Sequence, residues 1–245
     1  IKIPVLPFHT WLPDAHVQAP TPISVILAGI LLKLGAYGML RINFPLAPDA
    51  FQHFAWVLAT LGVVNIVYGA YVAMAQTDFK RLVAYSSVSH MGYFLLGVAA
   101  MTFTGLNGAT LQLFTHGTSS AMLFLIVGVI YDRAHHRDLN DFGGLAKRMP
   151  YFLGIATIGI FAGLGLPTMS GFISEAMTLM GSYGQFPVHV ILSTLGILMT
   201  AAFLLYALQR VFLGALQAKY ENFKDMSGRE DFTLIPFAFL CILIG

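Results

Sequence analysis

Long apolar runs separated by short polar connections organise the chain. Runs at 21–42, 54–76, 79–101 and 106–131 each hold about the 20 residues that a helix needs to cross roughly 30 Å of hydrocarbon. Another lies at 188–216, and a further run opens at 232 and is still apolar at Gly245. The run 149–186 is too long for one straight helix, since at about 1.5 Å per residue it would far exceed the bilayer core. Residues 1–20 are interrupted by Pro4, Pro7, Pro13 and Pro20, so they form at most a broken helix. The pattern predicts an all-α, polytopic transmembrane helix bundle of eight membrane segments, two of them discontinuous. Ile1 is not a start residue, no signal peptide is visible, and both ends look cut, so the reading expects a fragment of a longer chain.

Charge in the connections supports this count. Lys80 and Arg81 lie in one loop; Arg133, Arg137, Lys147 and Arg148 in another; Lys219, Lys224 and Arg229 in a third. The intervening connections 43–53, 102–105 and 181–187 carry neither Lys nor Arg, and only Arg41, at the end of its span, falls on that side. Basic loops face the cytoplasm or its equivalent, and a missed or invented span would scramble the alternation. Each broken segment is followed by an unbroken one, at 21–42 and 188–216, the arrangement that points to inverted-repeat transporters. The expected division is 1–42 as the end of a first repeat, 54–216 as a second, and 232–245 as the start of a last helix.

Composition changes the picture only by exclusion. The 245 residues are 57% hydrophobic and 10% charged, against about 25% charge in soluble domains. A net charge of +2 without a basic run gives no basis for nucleic-acid binding. A single cysteine, Cys241, rules out an internal disulfide framework and a Cys-based zinc or iron–sulfur site. No phosphate-binding glycine loop, nucleophile elbow or HExxH motif is present, so no cofactor is expected in this chain.

The chemistry resides in polar groups inside apolar runs. Lys33 sits mid-span, where a lone cation costs roughly 2.5–3.5 kcal/mol on the insertion scale, too deep to reach either surface easily. Glu175 lies one turn after a Gly/Pro-rich break formed by Gly163, Gly165, Pro167, Ser170 and Gly171. Such groups by default mark proton or ion paths, the alternative being a purely structural ion pair or a neutral packed acid. His90, with Ser86, Ser89 and Tyr93, and His116, with Gln112, Ser119 and Ser120, form polar stripes that could hold a chain of waters or simply fix packing. Lys2 is ambiguous by composition alone. Asp14 and His16 lie toward the basic side as a candidate proton entry. His135 and His136 lie in a basic-side loop without convincing metal-ligand spacing, and His189 reads as an interface residue.

Three stretches carry a resemblance. Lys2-Ile-Pro continuing to Pro7-Phe-His-Thr-Trp-Leu-Pro-Asp-Ala-His16 leads into Leu-Leu-Lys33-Leu-Gly-Ala-Tyr-Gly38; Gln76-Thr-Asp-Phe-Lys-Arg runs on to Ser-His90-Met-Gly92; and 111–125 contains His116-Gly. Together they resemble the antiporter-like subunits of NADH:quinone oxidoreductase, respiratory complex I, along essentially the whole chain. Lys33 in its motif and Glu175 in Ser-Gly-Phe-Ile-Ser-Glu175 favour the M-type, or chain 4, branch. L- and N-type subunits and Mrp-type sodium/proton antiporter subunits usually place lysine at the second position.

The resemblance implies fourteen spans in two inverted five-helix repeats. This chain would cover spans seven to fourteen, leaving the family's span-five glutamate, partner of Lys2, upstream. It also implies a midplane relay from Lys2 to Lys33 to His116 to Glu175, with His90 as a further member, coupled to quinone reduction elsewhere. The chain would then be a non-redox subunit of a proton-translocating oxidoreductase in a bacterial cell membrane or an organelle inner membrane. FMN, iron–sulfur clusters and quinone would sit in partner subunits, and L- and N-type subunits would be neighbours. The alternatives are a Mrp-type cation/proton antiporter subunit, the equivalent subunit of a photosynthetic or hydrogenase complex, or a membrane scaffold.

Overall fold

A computed structural model describes residues 2–245; Ile1, first residue of the expected broken segment, lies outside the described residues. The chain forms α1 (Trp11–Gln18), α2 (Thr21–Leu46), α3 (Pro48–Met74), α4 (Phe79–Ala100), α5 (Phe103–Ala134), α6 (Pro150–Leu164), α7 (Ser170–Tyr183), α8 (Pro187–Phe212) and α9 (Gly228–Leu243). Of these, α2, α3, α4, α5 and α8 are long and apolar enough to cross a membrane.

Local chemistry sets the boundaries. Asp78 caps α4 by accepting from the Arg81 amide at 2.9 Å, and Thr102 caps α5 through the Gly105 amide at 3.0 Å. Proline occupies the first turn of α3, α6 and α8, where its missing N–H costs nothing. Ser227 and Glu230 form a reciprocal capping box on α9.

Both expected interruptions are present. Residues 149–186 divide into α6 and α7 around Gly165, whose φ of +74° suits glycine. Before α1 the chain runs through irregular turns. Two readings change. The span 21–42, expected to be unbroken, contains π-helical stretches at Leu27–Leu31 and Met39–Asn43, which widen the ladder and release carbonyls. The expected loop 43–53 shrinks to a break at Ala47, because Pro45 and Pro48 each start a helical turn rather than a loop.

The bundle is built around α4. Ninety-four per cent of its apolar window is buried, against 22% for α2, which shows Ile23, Ile26, Ile30 and Leu34 to the outside. Small residues let the backbones approach: a Cβ on Gly92 would collide with the Gly62 carbonyl of α3.

The three basic loops gather at one end. The Phe79 amide donates to Arg137 O at 2.9 Å, Leu139 N to Thr77 O at 2.8 Å, and Gly144 N to Leu213 O at 3.0 Å. Arg133 grips Glu230 through both guanidinium nitrogens at 2.6 and 2.8 Å. That grip holds the Glu230 carboxyl down at about 2. Asp225 accepts the Tyr151 and Phe152 amides at 2.9 and 3.0 Å, satisfying the start of α6.

Candidate functional site

Lys33 reaches inward from α2 and is 9% exposed. Its ammonium donates to the Ala28 carbonyl, which the first π-helical stretch presents, and lies 2.8 Å from His116 Nδ1 on α5. An ammonium has no lone pair, so a charged Lys33 requires Nδ1 to be the accepting nitrogen. Gly117 makes the approach possible, since a Cβ there would stand 3.0 Å from Gly29 O and 3.7 Å from Lys33 Cε.

The His116 and His90 rings lie 5.3 Å apart between centroids, tilted by 44°. His90 Nδ1 is 2.9 Å from Glu175 Oε1, and both side chains are almost fully buried. The other carboxylate oxygen lies against the break between α6 and α7: a Cβ on Gly165 would come within 3.0 Å of Glu175 Oε2. Ser174 donates to Gln112 Oε1 at 2.5 Å and meets Thr115 Oγ1 at 2.8 Å, tying α7 to α5 beside the histidines. Only about 160 Å³ of void is left among these groups, with no seat for a water-sized sphere. The expected chain of waters between the two histidine stripes is therefore replaced by direct packing.

The row thus runs Lys33, His116, His90, Glu175. It departs from the expected order because His90, not His116, touches the carboxylate. The stripe assigned to His90 also loses a member. Ser89, one residue away, turns to α3 and donates to Ile66 O at 2.8 Å, because adjacent residues on a helix do not share a face.

The remaining expected residues lie apart from the row. Lys2 is exposed and lines a cavity of about 530 Å³ with Asn43, Phe51 and Leu95. It abuts Gly35, whose Cβ would meet the Lys2 Cβ at 2.8 Å. Gly35 is two residues from Lys33, so the two lysines flank different sides of α2. Asp14 is exposed and pairs with Arg81 at 3.6 Å, whereas His16 is fully buried and stacked on Phe124 at 4.3 Å. They do not form one joint entry. No trio of His, Cys, Asp or Glu side chains among the described residues converges on a metal-sized site.

Residues 1–214 match the family described as NADH:quinone oxidoreductase/Mrp antiporter, TM. The chain belongs to that family. It is 45% identical over 246 aligned residues to NADH-quinone oxidoreductase subunit M of Rickettsia typhi, covering 100% of this chain and 50% of the relative. Respiratory complex I from Thermus thermophilus with bound NADH contains a chain that superposes with a TM-score of 0.94 at 35% identity, over 100% of this chain and 52% of that one. The Mrp complex from Dietzia sp. contains one with a TM-score of 0.83 at 26% identity, over 88% and 40%. The chain spans about half the length of the curated relatives it matches. This antiporter-family chain is a multi-pass membrane protein.

One polar feature escaped the sequence reading of this family member. Lys80, assigned to a loop, is buried and donates to Ala19 O at 2.5 Å, while Arg137 donates to Val17 O at 3.1 Å. Two cations from elsewhere in the chain therefore hold the carbonyl end of α1, the end that favours positive charge. The Asp78 cap that starts α4 was a local signal for helical placement of Lys80; its partner was not encoded locally.

Proposed function

We propose that this chain conducts protons as a membrane subunit of a proton-translocating NADH:quinone oxidoreductase. The observation that carries the reading is the buried contact row Lys33–His116–His90–Glu175, contributed by α2, α5, α4 and α7. Lys33 gives a proton to His116 Nδ1, and the imidazolium releases one from Nε2. That nitrogen makes no hydrogen bond in the resting arrangement, so one ring must turn across the 5.3 Å between centroids before His90 accepts at Nε2 and passes its Nδ1 proton to Glu175. Imidazole can do this in either direction. Each proton moved against the field costs about 2.3 kcal/mol per 100 mV, so proton affinities along the row must change during turnover. Quinone reduction elsewhere in the assembly supplies that change.

FMN, iron–sulfur clusters and quinone belong to partner subunits in this reading, and this chain is non-redox. L- and N-type antiporter-like subunits are its membrane neighbours, in a bacterial energy-coupling membrane. Lys2 joins the row around α2 by way of its cavity, and His16 and Asp14 serve entry separately. Residues 1–42 are the end of a first inverted repeat, 54–216 the second, and 232–245 the start of a last helix.

The test is Lys33→Ala in the assembled complex in proteoliposomes. Intact electron transfer with lost proton uptake supports the reading. Full pumping with weakened assembly leaves the row a scaffold. A second reading, a Mrp-type cation/proton antiporter, draws on the likeness to the Dietzia Mrp chain. Sodium flux without quinone chemistry would favour it.

A further inference from the structure

A row that ends at Glu175 in the middle of the bundle must discharge toward one end. Its continuation is marked by a buried group that the row does not use. Tyr93 follows His90 by three residues on α4, which runs from the basic loops at Phe79 to the opposite end at Ala100. Tyr93 is therefore about one turn, roughly 4.5 Å, nearer the uncharged end. Its ring lies 6.4 Å from that of His90, and the residue is 1% exposed. Its hydroxyl has no hydrogen-bond partner within the protein, a costly condition that an ordered water ordinarily relieves. The hydroxyl also lies within electrostatic reach of Glu175.

The hydroxyl faces α8 at its one glycine on this side. A Cβ on Gly196 would be 3.5 Å from Tyr93 Oη. From Gly196 toward the start of α8, Ser193 and His189 recur at helical spacing on the same face, over about 10 Å. Ser193 is fully buried, with Oγ donating to His189 O at 2.8 Å. His189 is half-buried near the uncharged end, its Nε2 3.1 Å from Thr60 Oγ1 on α3. Thr60 spends its own proton on Trp56 O at 2.8 Å, so it accepts from Nε2–H. With Nε2 carrying that hydrogen, Nδ1 is the ring nitrogen left to accept. Packing alone explains small residues along α8, but not a buried phenol aimed at them.

We infer that Tyr93, Ser193 and His189 form the outward limb of the proton path, carrying protons from Glu175 to the uncharged end between α3, α4 and α8. The inference rests on the proposed proton-conducting function. In each passage Glu175 loses its carboxyl proton, and Tyr93 accepts one proton on oxygen and releases its hydroxyl proton. Ser193 accepts that proton on Oγ and releases its own from the bond to His189 O; His189 gains the released proton at Nδ1 and gives it to the aqueous side, so no charge is stored.

The test uses the whole complex in proteoliposomes, reading protons moved per NADH alongside electron-transfer rate for Tyr93→Phe, His189→Ala and Glu175→Gln. Tyr93→Phe keeps the ring and removes only the hydroxyl. The expected result is near-normal electron transfer with loss of this subunit's share of protons in all three. Imidazole added on the uncharged side should restore that share to His189→Ala, a rescue that a structural role would not show. Normal proton yield in Tyr93→Phe and His189→Ala, with Glu175→Gln impaired, overturns the outward limb and leaves the row standing. Normal yield in all three removes the proposed function itself. Should Tyr93→Phe fail to assemble, absence of imidazole rescue in an impaired His189→Ala overturns the limb.

Discussion

Glu175 and His90 meet at 2.9 Å although one belongs to the second half of a broken helix and the other to the most enclosed helix of the bundle. The carboxylate can reach the imidazole because α7 begins at Ser170, after the chain has interrupted its helix between Leu164 and that residue. The break is thus a device for delivering an acid to a buried base.

His90→Ala should therefore stop proton translocation as completely as Glu175→Gln. Removing one partner leaves the other buried polar group unsatisfied at a cost of about 1–3 kcal/mol, so complex abundance should fall as well. Proton uptake normalised to assembled complex separates the two effects. Normal uptake in His90→Ala would place the row elsewhere.

Gly165→Ala should impair the same function from the other side of the carboxylate. The new Cβ would stand 3.0 Å from Glu175 Oε2, and φ at +74° penalises a side chain by about 1 kcal/mol. Proton yield should drop while electron transfer persists. Gly184→Ala, with open space around the new Cβ and a φ of −62°, is the matched control and should be silent.

Acid should dissolve the Arg133–Glu230 clamp. Glu230 is ordinarily near 4.5 and is lowered to about 2 chiefly by its hydrogen bonds with Arg133. A carboxylate with a depressed folded-state value contributes stability that is fully present above the unfolded value and lost as pH falls toward the folded one. The melting difference between the native chain and Glu230→Gln should be constant above about pH 5 and shrink between about 5 and 2. A difference that grows on acidification would reverse the assignment.

Lys80→Met should loosen α1 without touching the row. Hydrogen bonds to charged groups contribute about 1.5–3 kcal/mol, and the Ala19 carbonyl would lose its cation. Hydrogen exchange in Trp11–Gln18 should quicken, while α4 amides around His90 stay protected. Unchanged exchange in α1 would show that Arg137 alone suffices.

The spans were legible because lipid imposes a length and a polarity that few other environments do. The break at Gly165 was legible from its glycines and proline, and the shared end of the basic loops from charge alternation. Lys33, His116, His90 and Glu175 could be picked out singly as polar residues in apolar runs. Their order could not, since a contact such as His90 to Glu175 joins helices distant in sequence. The π-helical stretches of α2 stayed hidden for a related reason. The first, Leu27–Leu31, answers to the Lys33–Ala28 contact and to packing against α5, which no local propensity encodes. Lys80 misled because its neighbours Asp78 and Arg81 are those of a surface loop, while its own side chain turns inward.

The tight space between His90 and His116 carries a consequence for selectivity. A gap too small for one water is also too small for sodium with any part of its shell; on the proposed proton-conducting reading, only a proton can be handed between the two rings, once one of them turns to form the missing bond. On that reading, discrimination against metal cations requires no dedicated filter in this chain; it follows from two tilted rings 5.3 Å apart filling the centre of the bundle.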